Sequence, residues 1–151
     1  LQERNMKIQL IGFIDELPES TKKVVLKAVE DTKENTGMVL TFALNYGSRA
    51  EIIEATKALA NEVQSGEISV EDINDEAFAR KLQTSFLENL QDPDLMIRTS
   101  GEVRLSNFLL WQLAYSEYYF TDIFWPDFSE EDLHKAILTY QGRHRRYGGL
   151  A

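Results

Sequence analysis

The chain has 151 residues, 43% of them hydrophobic and 11% aromatic, with a formal charge of −9 and no cysteine. That length and apolar content predict one ordinary domain with a real core, and weigh against disorder. The charge excludes binding to nucleic acid or anionic membrane through net charge alone, and the missing thiols exclude disulfides, zinc–thiolate sites and cysteine nucleophiles. No apolar run approaches a membrane span and no signal peptide is visible, so a cytoplasmic location is expected. The chain opens on Leu1 rather than methionine, which predicts an upstream portion.

In chain order, Lys7 to Ile11 alternates polar and apolar, as a half-buried strand does. Pro18 and Glu19 open a helical pattern through Val24, Val25, Ala28 and Val29 that should close near Gly37. Met38 to Leu44 is almost continuously apolar, predicting a strand covered on both faces. After Gly47 and Ser48 comes a long helix with Ile52, Ile53, Ala55, Leu59 and Val63 inward, stopped at Gly66. Ser69 to Asp72 resembles a capping box at the start of a short helical stretch, and Phe78 and Leu82 mark a second. Leu95-Met96-Ile97 reads as a short buried strand running into a Thr-Ser-Gly turn. Asn107 to Ser116 looks helical, Glu117 to Phe120 is an aromatic-rich strand, and Ser129 to Asp132 caps a helix running towards Arg143. Strands alternating with helices predict an α/β fold with a mostly parallel, helix-covered sheet. Ligands in such sheets sit beyond the C-terminal ends of the strands. Asn45 to Arg49 and Arg98 to Asn107 both lie at such ends.

The densest polar segment is 94–107, where Arg98 and Arg104 flank a Ser-Gly turn and Ser106 precedes the expected helix start. Guanidinium forks match phosphate oxygens, a serine adds a hydroxyl donor, and a helix start supplies unpaired N–H groups. The combination suits a small polyanion such as a diphosphate, or else two surface arginines in ion pairs beside an N-cap serine. Glu117 and Asp122 bracket the aromatic strand and are either oxygen ligands for a hard cation such as Mg²⁺ or solvated acids, and among 25 acidic residues the second reading wins on sequence alone. Trp111, Tyr115, Tyr118, Tyr119, Phe120, Phe124 and Trp125 could line an apolar tunnel or a dimer contact, but favour a core. Neither His134 nor His144 belongs to a Ser-His-Asp pattern, and no glycine-rich nucleotide loop is present. Arg143 to Gly149 is a basic stretch after a helix, which either complements the helix C-terminus or places Arg146 on a phosphate of another subunit.

Four ordered segments together resemble one family. Asp94 to Gln112 (DLMIRTSGEVRLSNFLLWQ) is similar to the long C-terminal signature of cis-prenyltransferases, and Tyr118 to Asp122 followed by Trp125-Pro126-Asp127-Phe128 continues it. Ala43 to Arg49 resembles the family's Asn-Tyr-Gly-Gly-Arg segment, and Arg145 to Gly149 resembles its Arg-x-Gly ending. The bacterial undecaprenyl diphosphate synthases look nearest. The resemblance implies that residues 1–151 form the C-terminal part of a single cis-prenyltransferase domain. It implies repeated condensation of isopentenyl diphosphate onto farnesyl diphosphate and longer allylic diphosphates, giving undecaprenyl diphosphate, the carrier for cell-wall precursors. It places Arg98, Arg104 and Ser106 on isopentenyl diphosphate, Glu117 near Mg²⁺, and Arg146 across a homodimer towards the partner's substrate phosphates.

Three departures stand out. Ser48 replaces a frequent glycine, and Val103 stands where some members have a histidine near the metal. The Asp-Gly-Asn-Gly-Arg-Trp and Phe-Ser-x-Glu-Asn-Trp motifs, the first carrying the catalytic aspartate, are not in this sequence. No catalytic residue is therefore assigned within it, and the chain alone is expected to be inactive. The rival readings are a noncatalytic cis-prenyltransferase-like subunit and an unrelated phosphate-binding module. Retention of Arg98, Arg104, Ser106 and Glu117 together argues against the first.

Overall fold

In the computed structural model, which describes residues 2–143, the chain divides between Phe86 and Leu87 into two units. The first contains Lys7–Ile11 (β1), Glu19–Thr32 (α1), Val39–Ala43 (β2), Ser48–Ser65 (α2) and Asp75–Ala79 (α3). The second contains Leu95–Arg98 (β3), Glu117–Phe120 (β4) and Glu130–Gln141 (α4). Each unit has one parallel strand pair, β1 with β2 and β3 with β4, so the expected α/β class and parallel pairing hold while the strands form two pairs.

In the first unit the two strands exchange the roles expected of them. Ile8 and Ile11, an odd number of positions apart and hence on opposite faces, are both buried, so β1 carries the core on both sides. The more apolar β2 is not covered on both faces, since Val39 is 40% and Phe42 43% exposed. The cause lies in which strand receives the helix: α1 packs on β1, and Thr32 near its end accepts a 3.0 Å hydrogen bond from the Ile8 N–H. That same hydroxyl donates back to the Ala28 carbonyl at 2.9 Å. The helix ends there, short of Gly37, because residues 35–37 are tied to the start of β1. The Asn35 amide donates to the Met6 carbonyl at 2.7 Å and the Gly37 N–H to the Asn5 carbonyl at 3.0 Å.

Gly66 ends α2 as expected, in the left-handed conformation that glycine adopts without strain. Ala55 and Leu59 face inward, but Ile53 does not, being 54% exposed. In its place Ser48 and Glu51, two polar residues of the first helical turn, are fully buried.

In the second unit β3 and β4 pair in register from Leu95 with Glu117 to Arg98 with Phe120. Met96, Leu109, Leu113 and Ala136 form the buried apolar set. α4 packs against both strands and starts with the expected capping box, in which the Ser129 N–H donates to the Asp132 carboxylate at 2.9 Å. The bonds from Ser129 hold the Asp132 carboxyl below its usual range. The helix expected over Asn107 to Ser116 is not formed, and these residues make irregular turns. Ser106, Asn107 and Leu109 all have positive φ, which no right-handed helix accommodates. Of the aromatic residues expected in a core, Tyr115, Phe124 and Trp125 are 69%, 64% and 72% exposed, and Trp125 stacks on Phe128 instead.

Among the glycines described, Gly12 leaves the least room for a side chain. Its φ is +117°, and a Cβ there would lie 1.8 Å from the Leu44 carbonyl oxygen. Gly12→Ala should destabilise the protein by at least about 3 kcal/mol. Gly66→Ala, with φ +79° but nothing within 4 Å of the added carbon, should cost only about 1 kcal/mol. Urea unfolding of both variants checks this, and equal losses would contradict the steric argument.

Candidate functional site

The second unit gathers Arg98, Arg104 and Ser106 at the C-terminal end of its strand pair. Arg98 is the last residue of β3, so its side chain stands at the C-terminal end of that strand. One guanidinium nitrogen donates to the Ser106 hydroxyl at 3.1 Å and also to the Arg104 carbonyl. Arg104 in turn pairs with Glu102. Met96, Ile97, Arg98, Arg104, Leu105, Ser106 and Phe108 line a cavity of about 410 Å³ here, combining apolar side chains with two arginines.

The loop is held in this shape by backbone bonds. The Ser100 N–H donates to the Ile123 carbonyl at 2.8 Å and the Gly101 N–H to Thr121 at 3.0 Å, extending the β3–β4 ladder past the last paired residues. These turn N–H groups are already used, so the donors for an anion are the side chains of Arg98, Arg104 and Ser106. The expected helix N-terminus behind Ser106 contributes nothing, because that helix is absent. Ser100 and Ser106 hold φ of 68° and 51°, a conformation that costs a non-glycine residue of order 1–3 kcal/mol and concentrates at binding sites.

Glu117 is not brought to this cluster. It is the first residue of β4 and pairs with Leu95, while Arg98 pairs with Phe120 at the other end. Three residues of parallel strand separate the two levels, about 10 Å along the strand. A carboxylate that does lie close to the Ser-Gly turn is that of Asp122, 3.2 Å from where a Gly101 Cβ would sit. Glu117 is engaged elsewhere: the Arg143 guanidinium donates to its carboxylate at 3.0 Å and to the Tyr118 carbonyl at 2.8 Å. No group of three or more His, Asp or Glu side chains stands together as a metal cluster among the described residues. Val103 is 72% exposed. Among the described residues, therefore, no cluster of three metal-binding side chains is formed around Glu117. Arg146 lies outside the described residues.

In the first unit the other predicted segment, Asn45 to Arg49, is also at the C-terminal end of a strand pair. The Asn45 side-chain amide donates to the Phe13 carbonyl at 3.1 Å and the Glu16 carboxylate at 2.8 Å, tying the β2 loop to the β1 loop. Arg49 borders a cavity of about 470 Å³ with Phe13, Glu16, Ala50, Ile53 and Glu54. Sequence reasoning gave no role to the group behind this loop. The buried Glu51 carboxylate accepts from the Tyr46 hydroxyl and, at 2.8 Å, from the Gln83 N–H, while the Gln83 side chain accepts from the Gly12 N–H at 2.5 Å. A lone glutamate in a helix first turn reads as a favourable surface charge, and only the tertiary partners reveal it as a buried hub.

The family model of undecaprenyl diphosphate synthases, within the prenyltransferases, matches residues 1–148. An isoprenyl transferase of Halalkalibacterium halodurans is 56% identical over 150 residues, which are 99% of this chain and 57% of that relative. The ditrans,polycis-undecaprenyl-diphosphate synthase ((2E,6E)-farnesyl-diphosphate specific) of Micrococcus luteus is 57% identical, over 99% of this chain and 59% of its own length. The chain thus spans somewhat more than half the length of these curated relatives. A crystal structure of lavandulyl diphosphate synthase from Lavandula x intermedia, in complex with dimethylallyl diphosphate, superposes with a TM-score of 0.93 at 37% identity. That match covers 97% of this chain and 62% of the other. The parallel strand pairs, the motifs carried at their C-terminal ends and a family match over nearly the whole sequence agree: the chain belongs to the cis-prenyltransferase family of the undecaprenyl diphosphate synthase type.

Proposed function

We propose that this chain is the C-terminal part of a single cis-prenyltransferase domain and supplies the half-site that holds isopentenyl diphosphate. The whole enzyme condenses that acceptor with farnesyl diphosphate and longer allylic diphosphates to make undecaprenyl diphosphate for cell-wall synthesis, as a cytoplasmic homodimer. The observation that carries the reading is the joint placement of Arg98, Arg104 and Ser106 around one cavity at the end of β3. Two guanidinium groups and a hydroxyl there can donate to several oxygens of one diphosphate. The apolar lining by Met96, Ile97 and Phe108 suits a short isoprenoid carbon chain.

In this reading Arg98 is oriented before substrate arrives, because Ser106 and the Arg104 carbonyl already hold its fork. Arg104 must leave Glu102 to reach a phosphate, exchanging one anionic partner for a more highly charged one. Catalysis by such a site is chiefly positioning: the acceptor's double bond is held against the allylic carbon while the departing diphosphate is stabilised by groups of the other half-site. A divalent cation, Mg²⁺, belongs to the proposal for the working enzyme, with Glu117 as one carboxylate near it. Arg146 is proposed to contact substrate phosphates of the partner subunit.

In the whole enzyme, Arg98→Ala and Arg104→Ala should each remove charge-assisted bonds of about 1.5–3 kcal/mol, raising the isopentenyl diphosphate KM about ten- to hundredfold. Steady-state kinetics with both variants measure this, and unchanged values in both would end the assignment. For Arg146, heterodimers pairing an Arg146→Ala subunit with a subunit disabled at Arg98 should regain activity that neither homodimer shows, whereas verified heterodimers without recovery would exclude action in trans. Residues 1–151 alone, given both diphosphates and Mg²⁺ in a radiolabel assay, should form no prenyl product. Turnover comparable to that of a full-length relative would place the essential carboxylate within this sequence.

A further inference from the structure

The loop between β3 and β4 makes a tight turn over Leu105 to Phe108. The Phe108 N–H donates to the Leu105 carbonyl at 3.2 Å, and the two central residues, Ser106 and Asn107, have φ of 51° and 65°. A closing bond with positive φ at both centres is the pattern of a type I′ turn, which glycine, asparagine and aspartate favour and most residues with a Cβ disfavour. The turn decides what its flanks reach. Ser106 and Phe108 both border the cavity at the end of β3, and the Ser106 hydroxyl accepts the 3.1 Å bond from the Arg98 guanidinium. In a right-handed helix, residues two positions apart are turned about 200° from each other. Asn107 itself is exposed and is not part of the cavity wall. Leu109, just beyond the turn, is buried, so the loop re-enters the core at once.

We propose that Asn107 is a positioning residue of the acceptor half-site. Its tolerance of a left-handed backbone sets the turn, and the turn places the Ser106 hydroxyl against Arg98 and Phe108 against the cavity. The inference rests on the reading of that cavity as the isopentenyl diphosphate site, and adds to it a residue that puts no side chain of its own on the substrate. Of the two central residues, only Asn107 belongs to the types enriched at positive φ. The consequence is a population effect. With a residue that resists positive φ at 107, the loop spends part of its time in other conformations, where Ser106 no longer meets Arg98. Substrate then binds only the competent fraction, and the apparent affinity falls by that fraction. At saturating substrate the competent loop is restored, so kcat changes little.

The test is made in the whole enzyme, with isopentenyl diphosphate as the varied substrate. Asn107→Ala should raise its KM about three- to tenfold with kcat nearly unchanged. Asn107→Gln keeps the amide but loses the preference for positive φ, and should behave as Asn107→Ala does. Asn107→Gly, free of that strain, should show a KM about three- to tenfold below either. If Asn107→Ala does not fold, the Gln and Gly variants carry the comparison. In a Ser106→Ala background, the change from Asn to Ala at 107 should move KM by less than about twofold, because the hydroxyl it positions is gone. Equal KM values for the Ala and Gly variants, a loss confined to urea stability, or full additivity with Ser106→Ala would each overturn the proposal. Arg98→Ala keeps the two readings apart. A raised KM there, with Ala and Gly alike at 107, removes the role of Asn107 and leaves the half-site standing, whereas an unchanged KM in Arg98→Ala removes both.

Discussion

The parallel register of β3 and β4 is the constraint on which the chemistry of the second unit depends. Parallel strands share one direction, so a single pairing sends both C-terminal ends, with Arg98 and Thr121, to one edge and both N-terminal ends, with Asp94 and Glu117, to the other. Residues close in function by motif are thereby sorted to opposite edges by geometry. The connection between the strands must return the full strand length, and here it does so without a helix, through the irregular loop that carries Arg104 and Ser106. A site of side chains at one edge and a charged fastening at the other follow from that single topological fact.

The loop itself is a balance between backbone strain and preorganisation. Ser100, Ser106, Asn107 and Leu109 occupy the left-handed region, which is unfavourable for residues with a Cβ. Opposing that cost are the bonds from Ser100 and Gly101 to the segment after β4 and the guanidinium of Arg98 laid across Arg104 and Ser106. Rigid placement of donors lowers the entropy cost of capturing an anion, which is why strain of this kind is tolerated at binding loops. The ion pair with Glu102 neutralises the Arg104 guanidinium beside this loop.

In the first unit the same economy is reached with a buried carboxylate. Glu51 sits in the first turn of α2, where the helix dipole favours negative charge, and its oxygens take a tyrosine hydroxyl and a backbone N–H. Through Gln83 the network reaches Gly12, whose close approach to Leu44 leaves no room for a side chain. The loops after β1 and β2 are therefore set by one polar cluster. Removing either partner of such a cluster leaves a buried group unsatisfied, which makes it a stringent determinant of local geometry.

Much of this organisation was legible in the residues alone, and for identifiable reasons. The strands β1, β3 and β4, the stop at Gly66 and the Ser129 capping box rest on local rules of alternation, β-propensity and capping, which operate within a few residues. The gathering of Arg98, Arg104 and Ser106 was also readable, because they lie within nine consecutive positions after a strand and the loop cannot carry them far apart. What local rules could not decide was the partner of each surface. The apolar run of β2 reads as buried, yet only the placement of α1 on β1 determines which strand is covered. The helical periodicity of 107–116 was overridden by left-handed residues that the return loop between parallel strands demands. Whether Glu117 meets a cation of its own chain or one from solution depends on Arg143, twenty-six positions away. Pairings at that separation are set by the register of β3 with β4 and the direction of α4, and no pattern of neighbouring residues encodes them.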